Sequence, residues 1–591
     1  MKTRMSVFFS VLCIGSGLCH FMANAQNYKP IKNLNKDLLA NTADYVFKNG
    51  AVYTIDSKNP TAEAIAISGK KIVYVGNNED VRAFIGKNTK VTDLQGKMVL
   101  PGFVEAHMHP TGALVTEGAD LQCETVGQLL ARVKAWGDAH PQAKVIRGFG
   151  WRYFLFPEAG PDKANLDTLF PDRPVLLIAI DGHSAWANSK ALKMAGVDSK
   201  TPDPVPGFSY FQRNPNTKEP TGWLVEVPAW MSVFNKLAPP GAKAVAAAMN
   251  SEFPKIAAAG ITAAYDAGIN ALPTEQGLDI YQQMEKAGKL PMRIVSAYYW
   301  NDATIEDPVS LVLKLRNKYN SELVQLKDLK INIDGGESQH TAVMLEPYYD
   351  RPGYNSGYII PPKNFTSALL KAQSIGMNTH AHSYGDSATR AYLNAIEAAQ
   401  KAYPNSKSRH TAAHALFLTD KEVTRIAKLN VTFQTSPQWL VPDPTIGLML
   451  KILGEHVVFA EYGRINSVLK VGGRVAFGSD WPVSGWVSTF RPLDAIQSAV
   501  TRAVLPQYGT QQIHPVMPPE NERISLDLAL KASTLDAAYV LGLENKIGSL
   551  KVGKAADIVV LEKDLHKIAP SEISTTKVKL TMMNGKITYQ E

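Results

Sequence analysis

Eight β-rich runs separated by helical patterns restrict this chain to folds that can hold a large parallel sheet. The runs cover residues 98–106, 261–266, 292–299, 329–334, 377–382, 411–415, 431–435 and 474–479, and helical stretches such as 386–401 and 420–429 connect several of them. That rhythm predicts an α/β chain built on a (β/α)8 TIM-like barrel. With 591 residues there is room for one such barrel with additions, and 45% hydrophobic with 20% charged residues is the composition of an ordinary globular protein.

The additions can be read at both ends and after the first strand. Short strand-like runs fill residues 44–100, broken at Asn49-Gly50 and Ser68-Gly69, and the same character returns at 557–561, 578–583 and 586–589. We expect residues 44–100 and 549–591 to build one composite β-sandwich domain. The barrel is then expected over 101–548, with an inserted subdomain at about 120–255 that has its own strand runs at 145–148 and 175–180.

The first 25 residues differ from the rest. Lys2 and Arg4 precede an apolar stretch from Val7 to Cys19, and Ala23-Asn24-Ala25 has the small–x–small pattern of a signal-peptide cleavage site. The stretch is short against the roughly 20 residues that span a bilayer, so we expect a signal peptide over 1–25, a leader over 26–43, and a periplasmic or secreted mature protein without stable membrane insertion. Cleavage would leave Cys123 as the single cysteine and no intrachain disulfide. The formal charge of +8 is scattered among acids, which argues against a nucleic-acid partner. Oligomeric state is open, a homodimer included.

His107-Met108-His109 ends the first run. Alternate residues of a strand point to one side, so both imidazoles can reach one metal. Further donors stand near the ends of later runs, where barrel active sites are assembled: Lys330, His382, His414 and, after the last run, Asp480. Imidazoles with a carboxylate suit zinc or a similar borderline divalent metal.

The chain resembles the amidohydrolase superfamily, in particular the amidohydrolase 3 branch with its N-substituted formamide deformylase-like enzymes. The resemblance rests on Val99-Leu100-Pro101-Gly102-Phe103-Val104-Glu105-Ala106-His107-Met108-His109, on His380-Ala381-His382-Ser383-Tyr384-Gly385-Asp386, on Gly478-Ser479-Asp480-Trp481-Pro482-Val483 and on the segment 548–557. It implies His107, His109, His382, His414 and Asp480 as metal ligands, with Asp480 also handling the proton. Lys330 matches the lysine that is N-carboxylated in binuclear relatives; an uncarboxylated Lys330 would leave the site mononuclear. The implied reaction is hydrolysis of a C–N, amide-like bond in a small molecule by metal-activated hydroxide. Ester, lactone or dipeptide hydrolysis belongs to the same chemistry. A non-catalytic secreted regulatory or binding protein is the alternative from another class, and the intact donor set argues against it.

Four further residues are candidates for substrate binding: His183, His340, His380 and Trp481. His380 shares the parity of His382, and a core role suits it equally; His410 is expected to be structural. Trp151, Trp186, Trp223, Trp439 and Trp481 either line an aromatic pocket or pack the insert on the barrel. The mature chain holds no G-x-S-x-G, H-E-x-x-H or G-x-x-x-x-G-K-[ST] motif.

Overall fold

The computed structural model describes residues 42–591 except 271, 510 and 511. The expected signal peptide therefore lies outside the described residues. Among those residues no helix is long and apolar enough to cross a membrane.

The central sheet has eight strands: Phe103–Met108, Ile261–Asp266, Arg293–Trp300, Val324–Asn332, Thr379–Ser383, His410–His414, Thr432–Thr435 and Arg474–Phe477. Neighbours pair in sequence order and every pairing is parallel. Most of these strands are buried along their whole length, as a sheet wrapped by helices requires. The helix Asp386–Ala402 shows how: Ala388, Tyr392, Leu393, Ile396 and Ala399 recur at helical spacing and form its buried face.

First and last strands meet at a seam held by hydrogen bonds rather than by a regular ladder. Asp480 N donates to His107 O at 2.8 Å, and His109 N donates to Trp481 O at 2.7 Å. Gly478 permits this approach, because a Cβ there would lie 2.5 Å from His107 N.

The run 98–106, expected as one barrel strand, is two. Met98–Pro101 belongs to a sheet built from both chain ends, and the barrel strand begins at Phe103. The break falls at Gly102, whose amide donates to Asp557 O at 2.9 Å and where a Cβ would collide with Thr262 at 2.4 Å. Apolar periodicity continues across the break, which hid it in the sequence.

The terminal sheet runs Lys586–Gln590, Val578–Met583, Ile558–Leu561, Met98–Pro101, Ala51–Tyr53, Thr61–Ala62. Val99, Ile558, Val560 and Met582 from it pack with Phe47, Ile65 and Ile67 of a four-stranded sheet, Lys71–Gly76, Ala64–Ser68, Tyr45–Lys48, Lys90–Asp93. The buried guanidinium of Arg293, at the start of the third barrel strand, bonds Asp557 and Asn584 and ties this layer to the barrel.

Between the first two barrel strands stands a six-stranded mixed sheet, ordered Tyr210–Arg213, Pro220–Val225, Ser184–Ala187, Val175–Ala179, Ile146–Trp151, Ala119–Asp120. It is tied to the loop after the last barrel strand by Ser484 N donating to Ile180 O (2.8 Å) and by the Arg152 guanidinium donating to Trp486 O (2.7 Å). The helix Val227–Leu237 follows this sheet.

Candidate metal centre

In the strand Phe103–Met108, Val104 and Ala106 pack outward with Ala537 and Ala538, so Glu105 and His107 point inward, and His109 continues that parity. Nε2 of His107 and Nε2 of His109 lie 3.2 and 3.4 Å from the same oxygen, Asp480 Oδ1. His414 Nε2 is 3.9 Å from Asp480 Oδ2, and the His382 ring centroid is 4.6 Å from that of His414. Lys330 Nζ is 3.2 Å from His107 Nε2. The six expected donors thus stand together at the C-terminal mouth of the barrel.

The Nδ1 side of three of the imidazoles is engaged in a way that fixes the ring, whereas His414 Nδ1 is buried and makes no hydrogen bond among the described residues. His109 Nδ1 donates to Gly268 O at 2.9 Å, His382 Nδ1 lies 3.2 Å from Asp334 Oδ1, and His107 Nδ1 lies 2.9 Å from His380 Nε2. Each partner leaves Nε2 turned to the centre, as metal-binding histidines require. Burial pushes His107, His382 and His414 well below the usual histidine range and lowers His109, so the rings are neutral and carry a free lone pair. His414 stacks on Trp439, with centroids 5.5 Å apart and planes 9° from parallel.

Burial raises the Asp480 carboxyl, opposed by His109 and Lys330. Burial also lowers Lys330 to about 7, against the pull of Asp480, so a good share of it is uncharged amine near neutral pH. That free amine is what carboxylation of a lysine needs.

These donors fit a divalent metal. Asp480 Oδ1 is buried and makes no hydrogen bond in the required geometry, although two imidazole nitrogens point at it. His107, His109 and Asp480 each offer a ligand atom, all within 4.8 Å of one another. Neutral imidazoles and a carboxylate converging without bonding each other are the donor set of zinc and its neighbours. Some backbone strain falls here as well: His414 and Asp480 have φ of 65° and 61°, and Glu226 adopts φ 68°, ψ 158°, a region that side chains avoid.

Several functional residues had escaped the sequence reading. Glu105 accepts from Ser479 N at 2.6 Å and from His107 N at 3.4 Å, which clamps the seam beneath the centre; burial carries its carboxyl up to about 8. Its parity with His107 and His109 was a usable signal. Asp334 stands just beyond its strand and accepts amides of Val343, Tyr384 and Gly385, so its grip on His382 is rigid. Glu226 comes from the insert, and no sequence pattern pointed to it.

Two arms of cavity open from the centre and share Asp181, His183, His382, His414 and Asp480. His183 stands at their junction, with Nδ1 2.8 Å from Glu226 Oε2 and its ring 5.7 Å from that of His382. Burial alone would lower His183, but the Glu226 carboxylate carries it up to about 10.

The other expected substrate residues are turned elsewhere. His340 bonds Asp350 at 2.9 Å and lines neither arm, because its loop folds back over Tyr348. His380 is one strand step deeper than His382, under His107 and stacked on Tyr265 at 4.6 Å. The Trp481 ring packs edge-on against Phe490, and only its backbone serves the seam. Trp151, Trp186 and Trp223 belong to the core of the insert, while Trp439 lines one arm. His410 bonds Gln373 and Thr379 deep in its strand, as a structural histidine does.

A parallel barrel with imidazoles and a carboxylate converging at its C-terminal mouth defines a class, the metal-dependent barrel hydrolases. The chain belongs to the Amidohydrolase family, whose Amidohydro_3 sequence model matches residues 90–589. It is 30% identical over 564 residues to Protein LONG AFTER FAR-RED 3 of Arabidopsis thaliana, covering 93% of this chain and 92% of that one. It is 25% identical over 562 residues to N-substituted formamide deformylase of Arthrobacter pascens, covering 93% and 98%. Among solved structures, an uncharacterized metal-dependent hydrolase from Pyrococcus horikoshii shares the fold with a TM-score of 0.68 at 21% identity, over 90% of this chain and 99% of that one.

Proposed function

We propose that this metal-dependent hydrolase cleaves a C–N bond of an amide-like small molecule, with zinc as the metal and His107, His109 and Asp480 as its central ligands. The observation that carries the reading is the buried, unbonded Asp480 Oδ1 facing two neutral imidazoles. Lys330, His382 and His414 extend the donor set, enough for a second ion when Lys330 is carboxylated.

A bound divalent metal would bring the pKa of water from about 16 down to about 7 and polarise the substrate carbonyl. Asp480 takes the proton of the attacking water and returns it to the departing nitrogen, which must leave as a neutral amine. His183 lines both arms beside the centre, a position from which it can reach a bound substrate. Glu226 accepts a hydrogen bond from its Nδ1–H and favours the protonated ring, so Nε2–H is free to donate to a substrate oxygen as negative charge grows. Asp334, Gly268 and Glu105 hold the imidazoles and the seam in place, so little reorganisation accompanies the reaction.

The test is elemental analysis of the purified protein beside His107→Ala and Asp480→Ala, with hydrolysis of N-substituted formamides assayed on the same samples. One to two equivalents of zinc, and loss of metal or activity in the variants, is the expected result. A wild-type protein that is metal-free, inactive and refractory to reconstitution would overturn the reading.

A further inference from the structure

The two arms that meet at the centre differ in the side chains that line them farther out. One is a cavity of about 90 Å³, and past the centre one side of its wall is apolar: Leu114, Val115, Ile178, Trp230, Met231 and Phe234. Among its described lining residues, the charged side chains are those of the centre and junction, and Tyr299, Asn270 and Asn332 are the polar groups beside them. The other arm is lined by Arg152, Glu337, Ser338 and Thr445 beside Tyr384 and Trp439.

The apolar wall is a built surface. Trp230, Met231 and Phe234 come from the helix Val227–Leu237, and Trp230 Nε1 donates to Gly182 O at 2.9 Å, which fixes the indole. Val115 and Met231 remain only partly buried among the described residues, so apolar surface is left lining the arm beside the metal centre. Such surface beside a reacting centre is where a ligand's own apolar part gains most from leaving water.

We propose that this arm takes the bulkier half of the substrate, an uncharged aryl or branched alkyl substituent, while the hydrogen-bonding half lies in the polar arm and the scissile group between them. The assignment rests on the hydrolytic reading of the centre and adds to it the substrate class: amides with one apolar and one polar side. The helix Val227–Leu237 is then the element that sets specificity, carried by the insert and not by the barrel.

Benzylphosphonate and methylphosphonate test this without turnover, since both offer the centre the same anion and differ only in what they send into the arm. Isothermal titration of the zinc-reconstituted protein is expected to give benzylphosphonate an affinity at least about tenfold higher, the gain of burying a ring. Met231→Trp, which fills the arm, and Val115→Asp, which charges it, are each expected to erase that preference. Equal affinities in the wild type, binding of neither compound, or a preference that survives both variants would overturn the proposal. Protein that prefers the benzyl compound yet hydrolyses no amide would keep the arm and lose the amidase reading. Protein that hydrolyses amides with no preference would keep the centre and lose the arm.

Discussion

Glu226 holds His183 from a backbone conformation that a glutamate rarely adopts, with its carboxylate 2.8 Å from Nδ1 and a second bond from Thr341 Oγ1 at 2.5 Å. Strain of this kind, about 1–3 kcal/mol, persists only where the surroundings enforce it. Glu226→Gln and His183→Asn are expected to lower kcat/KM about 10- to 100-fold with metal content unchanged, the cost of one or two hydrogen bonds to charged groups. Glu226→Gly should lose the same activity and retain wild-type stability, because glycine relieves the strain. Kinetics, metal analysis and urea denaturation on the same preparations check all three; loss of metal in Glu226→Gln would make the pair structural.

Asp480 is assigned both a ligand role and a proton. Asp480→Asn keeps the size and one oxygen donor but cannot carry the proton, so kcat is expected to fall about 1,000-fold or more. Metal occupancy should fall far less than it does in Asp480→Ala, a comparison that elemental analysis makes directly.

Glu105 joins the strand that carries His107 to the segment that carries Asp480. Glu105→Gln still accepts from the Ser479 amide and should retain metal. Glu105→Ala leaves that buried N–H without a partner, at about 1–3 kcal/mol, and loosens the ligands on both sides. A lower denaturation midpoint together with weaker metal retention against a chelator is the expected outcome.

Lys330 is buried beside His107 and is in good part uncharged near neutral pH. Lys330→Ala should lower the bound metal to one equivalent or fewer and reduce activity about 100-fold, in line with loss of a bridging ligand. Native mass spectrometry should show the wild type heavier by one carbon dioxide, with the increment lost on acidification and absent from the variant.

Asp443 provides a pH test away from the metal. Burial raises its carboxyl from 3.8 to about 7, opposed by its bonds to Thr445. Between those values the folded chain binds a proton that the unfolded chain does not, so its contribution to stability falls as pH rises and is fully lost above about 7. Asp443 also caps the helix Pro444–Leu453 through Thr445 N, a bond that asparagine reproduces. Asp443→Asn is therefore expected to stabilise the protein by about 1–3 kcal/mol at pH 8, with the gain fading toward pH 5, as urea midpoints at the two pH values would show.

The donor set was legible because strand parity is local. His107 and His109 face one way whatever the rest of the chain does, and the eight runs announced a barrel whose strand ends gather such residues. The same periodicity misled at 98–106, since an apolar alternation looks alike whether the strand stays in one sheet or changes sheets at Gly102. His340 and Trp481 show a second limit, for proximity in sequence to a strand end does not say which way a loop side chain turns.

Sequence by itself announced the barrel runs, the helices and the shared parity of His107 and His109, because those depend on residue type and on spacings of two and 3.6 within single elements, while the rest of the expected donor set came with the family resemblance. Tertiary structure alone decided which imidazole nitrogen faces the centre, the Glu105 clamp across the seam, the pairing of His183 with Glu226 and the apolar arm beneath the helix Val227–Leu237. Each of these joins segments tens to hundreds of residues apart, and such contacts are set by how the layers pack against one another.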